Sequence, residues 1–238
     1  MKKYPETLLH RVCILIIFFV CFSSCQKELP ADSGFIVTEK DAAEVIANSI
    51  IPTYGGLISK INNTVTLAQN TTLICGINKD STIVSAVAKS NLAIEFDYVL
   101  NWHYWRNCAD QSTKFSLGGT NNYSGIHYSA SDKSNGVFSL LTKTPAIANI
   151  YTIQLFQTRT GSVLKKDIGN KAFTSTVILQ SDSVYVDKLT GKILSGKISI
   201  KISGTSASPF AYSGQFTFIN DHKATLKITQ GNSYELAW

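Results

Sequence analysis

Glu95 and Asp97 stand two residues apart, a spacing that puts both carboxylates on one face of a strand, where such a pair can share a proton or flank a glycosidic bond. A glycosidase normally draws its two carboxylates from separate strands, and same-face acids on a solvated strand usually pair with neighbouring lysines. The two are therefore read as surface charges rather than as a catalytic pair. Apart from His10, the histidines are His103, His127 and His222. None shares an H-x-H or H-x₃-H spacing, so a metal would need all three to converge in space, and hydrogen-bonded surface histidines are expected instead. No G-x-S-x-G elbow, H-E-x-x-H helix, P-loop or G-x-G-x-x-G occurs. The sequence thus predicts no enzyme, no cofactor and no metal site.

The most distinctive segment is residues 101–108, NWHYWRNC, in which aromatic side chains occupy both faces of one extended run. Trp102 and Tyr104 continue an apolar stripe begun by Phe96, Tyr98 and Leu100. That leaves Trp105 and His103 on the opposite face, where an aromatic ring can stack on a sugar or anchor a partner. The competing expectation is that a loop held by Cys108 folds over Trp105.

The elements that must position these residues follow from periodicity. From Thr38 to Ile51 the apolar residues Ala42, Val45, Ile46, Ile50 and Ile51 recur at three- and four-residue spacing, and Thr38 with Asp41 forms a capping box, so one N-terminal helix is expected. Residues 52–74, with Gly55-Gly56 and many Asn and Thr, read as a helical turn followed by loop, or as an irregular strand. From about Thr82 the period changes to two and stays so through Tyr151-Ile153-Leu155, Phe173-Ser175-Val177-Leu179, Ile198-Ile200-Ile202, Phe216-Phe218 and Leu226-Ile228. Short polar links at residues 189–192, 220–223 and 230–232 join these runs as hairpins. No helical pattern separates the strands, so parallel crossovers are excluded. The expected fold is mainly β: an antiparallel meander curled into a barrel or half-barrel with the helix plugging it, or alternatively a two-layer sandwich.

Composition agrees. Hydrophobic residues make up 44% of the 238 and charged residues 16%, too apolar for disorder and too charge-poor for a coiled coil. The 26 Ser and 22 Thr outnumber all charged residues together and suit the solvated face of a sheet.

The first residues have a separate role. Lys2, Lys3 and Arg11 precede an apolar run from Val12 to Phe22, the pattern of a signal peptide and too short to span a bilayer. It ends in Phe22-Ser23-Ser24-Cys25, which resembles the bacterial lipobox, with Phe22 where Leu is usual. The following Gln26-Lys27-Glu28 resembles the export tract of surface lipoproteins of the Bacteroidota. Asp80-Ser81-Thr82 and Asp182-Ser183-Val184 look like the O-glycosylation tripeptide of that phylum. Residues 165–238 resemble the tails of uncharacterised β-rich lipoproteins from the same group. The resemblance implies lipidation at Cys25, glycan attachment at Ser81 and Ser183, and an outer-membrane lipoprotein exposed on the cell surface, or alternatively facing the periplasm. It carries no established activity.

Cleavage before Cys25 removes Lys2, Lys3, Arg11 and Glu6 and lowers the net charge from +6 to +4. The remaining basic residues are scattered, so nucleic acid is not an expected partner. With Cys13 and Cys21 in the signal and Cys25 bearing lipid, Cys75 and Cys108 are left, and an oxidising envelope permits them to pair; zinc would want a CxxC or paired histidines. The organisation read from the sequence is a signal peptide over 1–24, a lipidated tether over 25–37, a helix and irregular segment over 38–74, and a β-domain over 75–238. The leading function is a noncatalytic binding or surface-assembly role for a lipid-anchored envelope protein, attached to the membrane through its lipid and meeting a glycan, lipid or envelope protein. A carrier of lipid or glycolipid in an apolar half-barrel is the alternative, and a glycan-binding or glycan-hydrolysing protein is the lesser one.

Overall fold

The computed structural model describes residues 35–89, 94–142, 149–167 and 169–238. Cys25, the segment before it and Gln26-Lys27-Glu28 lie outside the described residues.

Thr38 is extended, with φ −83° and ψ 166°, and its hydroxyl accepts from the Asp41 N–H while the Asp41 carboxylate accepts from the Thr38 N–H at 2.9 Å. This reciprocal cap starts helix α1 (Glu39–Ile50), whose Ala42, Val45, Ile46 and Ile50 are buried. A single 3₁₀ turn (Pro52–Tyr54) and Gly55, at φ 64°, reverse the chain. Gly56 then donates to the Ile51 carbonyl, and a Cβ there would lie 2.5 Å from the Ile50 and Ile51 backbone. So tight a link lets a second helix begin at once.

That helix, α2 (Leu57–Asn70), corrects the expectation of one helix followed by an irregular segment. Leu57, Ile58, Ile61 and Val65 do follow a helical period and are buried. They are interleaved with Asn62, Asn63, Thr64 and Thr66, types that compete with the helical backbone for hydrogen bonds. Tertiary burial overrides that preference, and the Thr64 hydroxyl is satisfied by the Lys60 carbonyl at 2.9 Å.

Ten strands follow: β1 (Asn78–Lys89), β2 (Ile94–Arg106), β3 (Thr113–Ser124), β4 (Tyr128–Thr142), β5 (Ile150–Lys165), β6 (Lys171–Asp187), β7 (Ile193–Thr205), β8 (Pro209–Phe218), β9 (Lys223–Ile228) and β10 (Ser233–Ala237). Each pairs antiparallel with its sequence neighbours in one continuous sheet, with β1 and β10 left as its two edges. Register puts the apolar stripes in line across the strands: Tyr104 faces Phe115, Phe115 faces Phe138, and Phe138 faces Leu155. Ile198, Phe216 and Leu226 continue the row further on, all buried. Irregularities in register at Ile153/Leu155 and between Gln180 and Val184 bend the sheet.

The curl closes over the helices. Asp41 accepts from the Tyr128 hydroxyl on β4 and from Lys165 Nζ on β5, each at 2.5 Å. Glu39 accepts from the Asn232 N–H at 2.7 Å and from the Tyr234 hydroxyl at 3.0 Å, at the β9–β10 hairpin. At the other end of α1, Arg159 on β5 donates to the Ser49 carbonyl. Lys165 and Arg159 share a face six residues apart, about 20 Å along the strand, and twelve helical residues span about 18 Å. Helix α1 therefore runs antiparallel along β5. Asn63 on α2 bonds the Tyr98 hydroxyl of β2, so the second helix lies over the opposite flank. Phe35 and Val37, expected as the end of the tether, are buried, and their carbonyls accept from Ser206 and Tyr212. The described residues form one compact unit in which helices and sheet share a core.

Burial is the largest influence on the Asp41 carboxyl and opposes its charge, but the bonds from Lys165, Tyr128 and Thr38 outweigh it and hold its pKa below the ordinary value of 3.8. Its stabilising effect is complete above the unfolded value and is lost as pH falls through the lower folded one. Asp41→Ala is expected to lower unfolding free energy at neutral pH by about 3–5 kcal/mol, because it strands Lys165 and the Tyr128 hydroxyl. Denaturant midpoints measured from pH 7 to pH 2 would show this, and the variant would lose part of the acid-dependent slope.

Candidate binding face

Side chains on the sheet's outer face start from the same alternation that fills the core. With Trp102 and Tyr104 inside, His103 and Trp105 point outward from β2, as expected. Trp105 is half-buried, and the His103 ring lies against it at a centroid distance of 5.5 Å, tilted by 46°. Register carries further polar groups alongside: Asp80 faces His103 and Thr82 faces Asn101 on β1, while Ser116 faces His103 and Gly118 faces Asn101 on β3.

Asp80, Thr82, Asn101, His103, Ser116 and Gly118 line a depression of about 470 Å³. An ionised Asp80 carboxylate can only accept, so at 2.7 Å His103 Nδ1 is the donor, and Nε2 is left without a protein hydrogen bond. Thr82 donates to Asn101 Oδ1 at 2.9 Å, which leaves the Asn101 amide donors for solvent. Gly118 contributes no side chain, and the nearest atom to a Cβ placed there is Asn135 Oδ1 at 3.2 Å. The floor of the depression is backbone.

The other residues singled out in the sequence lie elsewhere. Glu95 and Asp97 are both exposed near the other end of β2, and Asp97 accepts from Asn122 at 2.8 Å. The three histidines are separate, each beside its own aspartate: His103 with Asp80, His127 with Asp167 and His222 with Asp221. Asp167 and, less strongly, Glu44 raise the His127 pKa above its ordinary value. Among the described residues no three His, Cys, Asp or Glu side chains group around a metal-sized point. Ser81 pairs with Trp102 and is half-buried on the inner side of β1, while Ser183 sits at the register break of β6 with its N–H bonded to Ser181. Cys75 and Cys108 form a disulfide, Cα–Cα 5.1 Å, that ties the α2–β1 link to the β2–β3 link just beyond Trp105.

The concave side, where a carried lipid would sit, is occupied by α1 and α2. It also holds a charged layer the sequence reading did not identify. Arg159 clamps Asp132 through Nε and Nη2, the latter at 2.7 Å, and Asn121 bonds the same carboxylate. Over this layer Lys60 is fully buried, with Nζ donating to the Gly55 carbonyl at 3.2 Å. The available signal was indirect: Arg159 and Asp132 occupy inward positions of their strands, and Lys60 lies on the apolar stripe of α2. An open groove of about 380 Å³ lies between α2 and the β6–β7 and β8–β9 links, lined by Ile58, Val65, Leu189, Lys192, Asp221 and Trp238 among others.

Burial, and then the Arg159 charge, push the Lys60 pKa well below its ordinary 10.5, with Asp132 only partly opposing. The unfolded chain keeps this proton to higher pH than the folded one, so stability rises with pH between the two values. Lys60→Met, similar in shape and apolar, is expected to abolish that rise and to stabilise the protein at neutral pH by about 1–2 kcal/mol. Cys75→Ser with Cys108→Ser is expected to cost about 3–4 kcal/mol, the loop entropy of a 33-residue closure. Denaturant titrations at several pH values measure both. Compared with known protein families, with curated proteins and with solved structures, this chain matches none.

Proposed function

We propose that this protein is a lipid-anchored component of the bacterial cell envelope, noncatalytic, which binds a ligand through the outer face of β1–β3. The observation that carries the binding half is the depression beside Trp105, where Asp80, Asn101 and His103 are held by one hydrogen bond each and keep their remaining donors and acceptors toward solvent. Fixed polar groups beside an aromatic ring suit reversible recognition, because little side-chain entropy is lost when they engage. The exposed setting of the carboxylates favours binding over hydrolysis. The anchoring half rests on the lipobox-like Phe22-Ser23-Ser24-Cys25. The Gln26-Lys27-Glu28 tract favours display on the cell surface.

In a bacterium of the Bacteroidota, Cys25→Ala is expected to abolish labelling with a fatty-acid analogue and to release the protein from the membrane fraction. Replacing Gln26-Lys27-Glu28 by Ala is expected to make the protein resistant to protease added to intact cells. Retained labelling would remove the anchor. Equal protease sensitivity of the two forms would remove the role of the tract.

A further inference from the structure

The outward groups do not stop at β3. In one register row Asp80, His103, Ser116, Val137 and Phe156 face one another in turn from β1 to β5. Val137 and Phe156 are 55% and 42% exposed, unusual for large apolar side chains standing together on a solvated face. The row is polar at one end and apolar at the other, with Ser116 and Gly118 keeping the middle low. Three strand spacings separate His103 from Phe156, about 14 Å.

From this arrangement we propose that the outer face binds a linear neutral oligosaccharide lying across strands β2 to β5, at right angles to them. The proposal rests on the binding face described above and names its ligand class. A hydroxyl on a sugar ring both donates and accepts, and adjacent hydroxyls need a donor and an acceptor side by side. The amide donors of Asn101 and the Nε2 of His103, which no protein group engages, supply such a pair, with the second oxygen of Asp80 beside them. The opposite requirement, an apolar surface for the C–H face of a ring, is met by Phe156 with Val137, and Trp105 offers a second ring beside His103. Hydroxyl groups at one end and C–H faces at the other describe a chain of sugars. A nucleic acid would require a basic track, whereas this row holds one acid and no lysine or arginine.

The test uses the chain from residue 25 onward with Cys25→Ser, so that lipid plays no part. It is titrated against gluco-, xylo-, manno-, galacto- and N-acetylglucosamine-based sugars, each as monomer and as chains of increasing length. Affinity is expected to increase with length until the chain spans His103 to Phe156 and then to level off. Phe156→Ser and Asn101→Ala are each expected to weaken binding roughly five- to tenfold. Gly118→Val fills the floor of the depression and is expected to abolish binding at the polar end. The Cβ it adds meets only the movable end of Asn135, so the variant is expected to fold, which circular dichroism and an unchanged melting midpoint would confirm. Sugar binding that ignores all three substitutions overturns both the row and the face. If no sugar binds, the saccharide proposal falls alone. The wider reading of the face is then decided by whether Gly118→Val changes the protein's cross-linking pattern in intact cells.

Discussion

The structure depends on the seating of one carboxylate. Asp41 belongs to α1 by its capping bonds and to the sheet by its bonds from Tyr128 and Lys165. The same oxygens that begin the helix therefore decide where it lies. A sheet that is apolar on one face must cover that face, and this one does so by wrapping around a helix whose first turn is held by β4 and β5 on one flank and by the β9–β10 hairpin on the other. The curvature of the sheet and the position of the helix are one solution to one burial problem. The outer face gains from the same arrangement: strands held firmly from within can display Asp80, Asn101 and His103 in fixed relation.

The inner charged layer shows a different balance. Arg159 is used twice, against Asp132 and against the carbonyl end of α1, where a cation is favoured by the helix dipole. Lys60 has the Gly55 carbonyl as its partner, and burial holds its pKa well below the ordinary value. Buried polar groups of this kind reduce stability but penalise any shift in how the helices sit, since a helix displaced along its axis would take the Ser49 carbonyl away from Arg159 Nη1.

Much of the fold was legible in the residues. Alternation located the strands because each has one buried and one solvated face, and Thr38 with Asp41 marked the start of α1 correctly. Helix α2 was missed because Asn62, Asn63, Thr64 and Thr66 interrupt its apolar residues, so the four that bury it follow the helical period only when read across them. The burial of Phe35 and Val37 was equally hidden, since their partners Ser206 and Tyr212 are some 170 positions away. Of the candidate face, the outward direction of Trp105 and His103 followed from the period of two. The neighbours that complete it, Asp80, Ser116, Gly118 and Phe156, come from other strands and are fixed by register, which a single sequence does not encode in any local pattern.

The bond from Asn232 to Glu39 joins residues 193 positions apart. Hairpins between successive strands can form as the chain emerges, each from contacts close in sequence, but α1 is fully seated only when the last hairpin exists. A ribosome or export channel presents the chain from its N-terminus, so α1 appears before every strand of the sheet and is yet among the last elements to be locked on both flanks. Until then α1 is held by β4 and β5 on one flank alone. A core built in this order is completed only when the β9–β10 hairpin reaches a helix made some 190 residues earlier.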